Sequence, residues 1–270
     1  MLEPYKELLT DGLNFQGREA THLVDPIGVG AVGGSGTRLL VEVLNLSGVA
    51  MATPRNRAGD ALEWPPFREL MAEETLADQP RDRLMHNILH AFERVLRWRR
   101  HMLGLEGRVG WKVPETFHWL EELGVFFPGM QYVHLMRHGL DMAYSGNQNQ
   151  ARNWADRLGI RLEPGSDGRV RPASMLDYWL AANERALESA ARCMPGRFLV
   201  IRFEELCRDP ETVLRELMAF LHLDTGAAHV ARLAALVQQP GSVGRYRRHD
   251  WRAEFSAAQL ERLERLGYRA

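Results

Sequence analysis

Val24-Asp25-Pro26-Ile27-Gly28-Val29-Gly30-Ala31-Val32-Gly33-Gly34-Ser35-Gly36-Thr37-Arg38-Leu39-Leu40 decides the fold. Its first half, with Ile27, Val29, Ala31 and Val32, is a short apolar strand. Its second half breaks into glycines and then resumes with Leu39, Leu40, Val43, Leu44 and Leu46 at helical spacing, from a Thr37 cap to about Gly48. The pattern is strand, glycine turn, helix start. Glycines at 33, 34 and 36 remove Cβ atoms, so several N–H groups can converge ahead of a helix N-terminus and hold an anion such as a phosphate.

Three glycine fingerprints overlap in this stretch. An ATP-type loop matches Gly28, Gly33 and Ser35, but its lysine position is occupied by Gly34. Gly28-x-Gly30-x-x-Gly33 matches a dinucleotide fingerprint. About 20 residues on, where an acidic ribose ligand belongs, Met51 to Arg57 contains no acid, and Arg55 and Arg57 suit NADP. An NADP-binding oxidoreductase using Gly28, Gly30 and Gly33 is therefore one reading. The third takes Pro26-Ile27, the apolar run, and then Gly33-Gly34-Ser35-Gly36-Thr37-Arg38-Leu39-Leu40. This run resembles the 5′-phosphosulfate loop of sulfotransferases, which typically reads Pro-Arg/Lys-Ser-Gly-Thr-Thr-Leu-Leu. Ser35, Gly36, Thr37, Leu39 and Leu40 are kept, while Gly33 and Gly34 replace the proline and the basic residue.

A chain of 270 residues, 45% hydrophobic, can bury one sizeable core, and a single domain over 1–270 is expected, with 1–22 as an N-terminal extension. The formal charge of −1 gives no global footprint for nucleic acid or for an anionic membrane surface, so any basic site is local. Cys193 and Cys207 form neither a disulfide framework nor a metal-ligand spacing, which suits a reducing cytoplasm. No run reaches the roughly 20 apolar residues of a membrane span, and Met1 to Thr10 has no signal core. Lys6 and Lys112 are the only lysines in an arginine-rich chain, so Lys112 marks a place where a compact ammonium is wanted.

Further along, Pro80 to Leu103 reads as a long amphipathic helix. Val109-Gly110-Trp111-Lys112 reads as a buried strand that Pro114 ends, which places Lys112 at the strand's C-terminal end, where parallel sheets bind ligands. The same tract resembles the sulfotransferase Lys-x-Pro segment. Met130 to Arg137 is another strand, and Ser145 follows Arg137 by eight positions, on the next predicted helix. In sulfotransferases an arginine and a serine so spaced bind the cofactor's 3′-phosphate, a bidentate guanidinium contact with an added hydroxyl donor. His138-Gly139 stands where that family has Asp-Pro. The amide-rich tract from Gly146 to Trp154 is expected to border the acceptor.

Phe198 to Arg202 is a compact parallel-type strand, and Phe203-Glu204-Glu205-Leu206 with Asp209-Pro210 resembles the family's Tyr-Glu-Asp-Leu…Asp-Pro segment. Gly241-Ser242-Val243-Gly244-Arg245-Tyr246-Arg247-Arg248 resembles the loop that closes over the 3′-phosphate, here taken as 241–252. Ser256 and Gln259 form a capping box.

The alternating elements imply a three-layer α/β/α fold around a mainly parallel sheet, the P-loop-like architecture of sulfotransferases. The resemblance implies transfer of a sulfuryl group from 3′-phosphoadenosine-5′-phosphosulfate (PAPS) to a hydroxyl or amine of a small-molecule, sugar or lipid acceptor, without a metal. It implies cofactor contacts from Gly33, Gly34, Ser35, Gly36, Thr37, Arg38, Arg137, Ser145, Phe203, Arg245, Tyr246 and Arg247. Lys112 would stabilise or protonate the leaving oxygen, and Asp60 or Glu63 would take the acceptor's proton, with Glu115 and His118 behind them. A non-catalytic nucleotide-binding protein is the remaining reading, because Gly34 replaces the loop's basic residue.

Overall fold

The computed structural model describes residues 23–51, 56–57, 59–61, 81–104 and 106–270, with side chains of the long helix from residue 85. Four strands form one parallel sheet: β1 (Ile27–Ala31), β2 (Gly110–Lys112), β3 (Gln131–Met136) and β4 (Phe198–Arg202), in the order β2-β1-β3-β4. The helices are α1 (Thr37–Leu46), α2 (Arg81–Met102), α3 (Leu120–Phe126), α4 (Gly139–Ala143), α5 (Asn149–Trp154) and α6 (Pro172–Cys193). They continue with α7 (Phe203–Arg208), α8 (Pro210–Phe220), α9 (Ala227–Ala234), α10 (Trp251–Glu254) and α11 (Ala257–Arg265). Short 3₁₀ segments lie at Pro114–Trp119, Asp156–Leu158 and Arg245–Arg248.

Strand alternation divides the core into two layers. Ile27, Val29 and Ala31 of β1, with Val133, Leu135 and Ile201, face α1, α7, α8 and α9. On the other face Trp111, Tyr132 and Met136 meet α2, α3, α4, α6 and α11 through Phe92, Leu96, Leu123, Leu140, Leu176, Trp179 and Leu263. The expected three-layer α/β/α arrangement is present. Among the described residues no helix is long and apolar enough to cross a membrane.

Gly28 and Gly30 fall inside β1, and their role is packing. A Cβ on Gly30 would stand 1.8 Å from the Tyr132 hydroxyl, and one on Gly28 would stand 2.8 Å from the same ring. The two glycines make room for Tyr132, so the dinucleotide fingerprint keeps only Gly33 in a loop.

Two local expectations are revised. Gly36, not Thr37, is the N-cap of α1, and Thr37 is its first helical residue. α4 is a short helix that ends before Tyr144, so Ser145 lies just past it rather than on it. Past Lys112 and Val113 the chain winds as a 3₁₀ helix over Pro114–Trp119, with Glu115 in its first turn. The Ser256–Gln259 capping box is as expected, and Asp209 caps α8 by accepting from the Thr212 N–H at 3.3 Å.

His134 illustrates how β3 is locked to α6. It is fully buried, its Nε2 lies 2.9 Å from Asn183 Oδ1, and Asn183 Nδ2 donates to the Trp179 carbonyl at 2.7 Å. Burial pushes the imidazole down from 6.5 to about 4. The unfolded chain therefore takes this proton at higher pH than the folded one, and stability is complete above about 6.5 and falls as pH drops towards 4. The loss from this group is on the order of 3 kcal/mol. In His134→Gln, which still donates to Asn183 but cannot titrate, the fall in thermal midpoint between pH 7 and pH 4.5 is expected to shrink. An unchanged acid profile would assign the loss to other groups.

Candidate active site

All four strands run the same way, so their C-terminal ends share one edge of the sheet. In register, Val29 pairs with Lys112, Ala31 with Leu135, and Met136 with Arg202. The chain then leaves into the glycine loop, the Lys112-Val113-Pro114 corner, Arg137 and Phe203, which is where open parallel sheets place ligands.

The loop from Val32 to Gly36 folds back tightly. The Ser35 N–H and hydroxyl both donate to the Val32 carbonyl, at 3.2 and 2.6 Å. Gly34 and Gly36 have φ of 96° and 98°, in the left-handed region that favours glycine. Gly36 is doubly required, because a Cβ there would stand 2.6 Å from the Phe203 ring. Among the described residues the N–H groups of Gly34, Gly36, Thr37 and Arg38 have no acceptor. These four donors lie at the positive end of α1, the end of a helix that favours anions.

Lys112 is buried and its ammonium forms an ion pair with Asp60 Oδ1. Asp60 stands on a small closed turn, in which Asn56 Nδ2 donates to Asp60 Oδ2 at 2.8 Å and the Asp60 N–H donates to Asn56 Oδ1 at 2.9 Å. The next residue, Ala61, donates its N–H to the Lys112 carbonyl at 2.9 Å, which fixes the carboxylate beside the lysine. Burial pushes the Lys112 pKa down, Asp60 opposes this, and the Arg38 charge pushes it further down. A Cβ on Gly59 would be 3.7 Å from Arg38 Cγ and 3.9 Å from Lys112 Cε, so Arg38 lies on the same side. Glu63 lies outside the described residues.

Arg137 is buried, with its guanidinium 5.2 Å from the centroid of the Phe203 ring and Nη2 donating to Ser242 Oγ at 2.9 Å. Its Nε is buried and has no partner among the described residues. Phe203 thus touches Gly36 on one side and Arg137 on the other. Ser145 Oγ stands 3.8 Å from where a Cβ of Gly34 would be. The glycine patch and the arginine patch are therefore neighbours through Phe203, with Ser145 beside Gly34.

Arg245 joins Arg137. Its Nε donates to the Ser242 carbonyl at 3.2 Å, and burial and the Arg137 charge push its pKa down while Asp141 opposes. Tyr246 is buried, stacked on His138 at 5.0 Å and edge-on to Trp251 at 5.7 Å, so its ring anchors the loop. Arg247 is exposed, its Nε donating to the Tyr246 hydroxyl at 3.4 Å.

Sequence reasoning missed Asp141. This buried carboxylate accepts from the Gly244 N–H at 2.7 Å and the Tyr246 N–H at 3.2 Å, and stands 3.9 Å from Arg137 Nη2. Its oxygens are spent on backbone amides, which leaves Arg137 and Arg245 able to meet a second anion. The signal was an acid four residues after the strand-ending arginine. His138 and Gly139 also gain a reason: His138 Nδ1 accepts from the Leu140 N–H at 3.2 Å, and a Cβ on Gly139 would stand 2.8 Å from the Trp179 ring. His118 is pushed down to about 3 by burial, with Arg157 and Arg185 adding to the shift, and its ring packs on Phe117 and Trp154. It is a feeble base at neutral pH.

A sequence model described as "Sulfotransferase family" matches residues 26–226. The chain belongs to the sulfotransferase family. Among solved structures, the sulfotransferase domain of the Synechococcus PCC 7002 olefin synthase superposes with a TM-score of 0.56 at 15% identity, covering 94% of this chain and 98% of that one. The sulfotransferase domain from the curacin biosynthetic pathway gives 0.55 at 15% identity, covering 92% and 99%. Both show the shared fold. An uncharacterized protein of Aquifex aeolicus (strain VF5) is 27% identical over 112 residues, which are 42% of this chain and only 14% of that relative's length.

Proposed function

We propose that this protein transfers a sulfuryl group from PAPS to a hydroxyl or amine of a small-molecule, sugar or lipid acceptor. The observation that carries this reading is the meeting of the glycine patch and the arginine patch at Phe203, with Ser145 beside Gly34. The free N–H groups of Gly34, Gly36, Thr37 and Arg38 suit the 5′-phosphosulfate, and Arg137, Ser145 and Arg245 suit the 3′-phosphate. One bisphosphorylated nucleotide satisfies both.

In the transfer the sulfur–oxygen bond to the 5′-phosphate breaks and a new one forms to the acceptor. Lys112 neutralises the departing phosphate oxygen, and Asp60, its ion-pair partner, takes the acceptor's proton. Accepting that proton removes the carboxylate's charge and releases the ammonium towards the phosphate. Catalysis is mostly positioning and charge neutralisation, as in phosphoryl transfer.

Calorimetry with adenosine 3′,5′-bisphosphate, NADP and ATP tests the donor. Micromolar binding of the bisphosphate and much weaker binding of the other two are expected. Preference for NADP would end the sulfotransferase reading. Turnover of labelled PAPS against a panel of hydroxyl and amine acceptors separates an enzyme from a binding protein.

A further inference from the structure

The amide-rich tract after Ser145 holds two glutamines, and each uses its carboxamide as a neighbouring strand would use its backbone. Gln148 accepts from the Val170 N–H at 3.0 Å and donates to the Val170 carbonyl at 3.1 Å. Gln150 accepts from the Gly33 N–H and donates to the Ala31 carbonyl at 3.2 Å. What they hold differs. Val170 belongs to a distant polar loop, whereas Ala31 ends β1 and Gly33 opens the anion loop.

Adjacent glycines lose the most conformational freedom on ordering, so Gly33-Gly34 needs an external restraint. The far half of the loop has one in the Ser35–Val32 turn and another in the Phe203 ring against Gly36. The near half has Gln150: the three atoms nearest to a Cβ placed on Gly33, at 3.1 to 3.6 Å, all belong to it. The same carboxamide takes the Gly33 N–H out of the set of free donors, which then begins at Gly34.

We infer that Gln150 is a positioning residue for the anion loop: its carboxamide clasps Ala31 and Gly33 so that the following N–H groups stay converged on the 5′-phosphosulfate. This rests on the donor assignment proposed above. The clasp acts on one end of the nucleotide only, because Arg137 and Arg245 are held by Ser242 and Asp141, not by Gln150.

Gln150 is only half-buried, so its substitution leaves the fold intact. Gln150→Met keeps the volume without the hydrogen bonds, and Gln150→Ala removes both. Calorimetry compares adenosine 3′,5′-bisphosphate with adenosine 3′-phosphate, which lacks the group the loop would hold. Loss of two hydrogen bonds predicts about tenfold weaker binding of the bisphosphate in both variants, with the monophosphate bound about as in the unaltered protein. Equal or tighter bisphosphate binding in the variants would overturn the clasp, as would parallel loss of both nucleotides. Failure of the unaltered protein to bind the bisphosphate would instead overturn the donor assignment itself.

Discussion

Replacing Arg137 with alanine is expected to weaken binding of adenosine 3′,5′-bisphosphate by about a hundredfold, the largest single effect on affinity in the molecule. The guanidinium is buried, stacked 5.2 Å from the Phe203 centroid, and held by Ser242, so its position is set before any ligand arrives. The buried Nε has no partner among the described residues, and a phosphate oxygen would supply one. Nearby Asp141 offsets part of the charge, but its oxygens accept from the amides of Gly244 and Tyr246 and leave the Arg137 Nε–H open to a phosphate. Arg137→Lys restores the charge without the fork and is expected to recover only part of the loss. Adenosine 5′-phosphosulfate, with no 3′-phosphate, provides the control: its affinity should be nearly the same in Arg137→Ala and the unaltered protein. Equal weakening of both ligands would mean that the substitution damages the pocket as a whole.

Lys112→Ala is expected to lower kcat by about a thousandfold while changing the bisphosphate Kd by less than about threefold. The separation follows from placement. Lys112 ends β2 beside Arg38 and is paired with Asp60, whereas the arginine patch is built on the far side of β1 from it, after β3 and β4. Asp60 is already partly exposed, so removing the lysine does not strand a fully buried carboxylate. Single-turnover measurements with saturating PAPS check this, and unimpaired turnover would remove Lys112 from the mechanism.

The pair also sets a sign. Burial already pushes the Lys112 pKa down and Asp60 opposes it. Activity that requires the ammonium is lost as pH rises through that pKa. In Asp60→Asn the opposing charge is gone, so the alkaline loss of kcat should begin at lower pH than in the unaltered protein. A lowered kcat with an unmoved alkaline limb would leave proton abstraction as the only role for Asp60.

Some of this was readable from the chain. Short, largely apolar runs in Ile27–Ala31, Gln131–Met136 and Phe198–Arg202, each followed by a helix signal, carried the sheet and its layers because burial on two faces and short crossovers leave few other arrangements. The glycine loop was readable for a related reason: φ near 96° and 98° at Gly34 and Gly36 is a backbone demand that shows directly as residue type. The exact helix starts were not, since Gly36 caps α1 through backbone geometry where Thr37 offered the better side chain.

What the sequence by itself determined, then, is an ordered set of strand ends, each carrying one functional residue, because parallel strands with helical crossovers must bring those ends to one edge. What only the tertiary structure decided is which side chains meet across that edge. Gly28 and Gly30 yield to Tyr132, Asp141 holds the basic loop 103 residues away at Gly244, Gln150 reaches back 117 residues to Gly33, and Asp60 turns onto Lys112. Such contacts join segments far apart in the chain, and no local periodicity or propensity records them; they exist only once the sheet has fixed the distances.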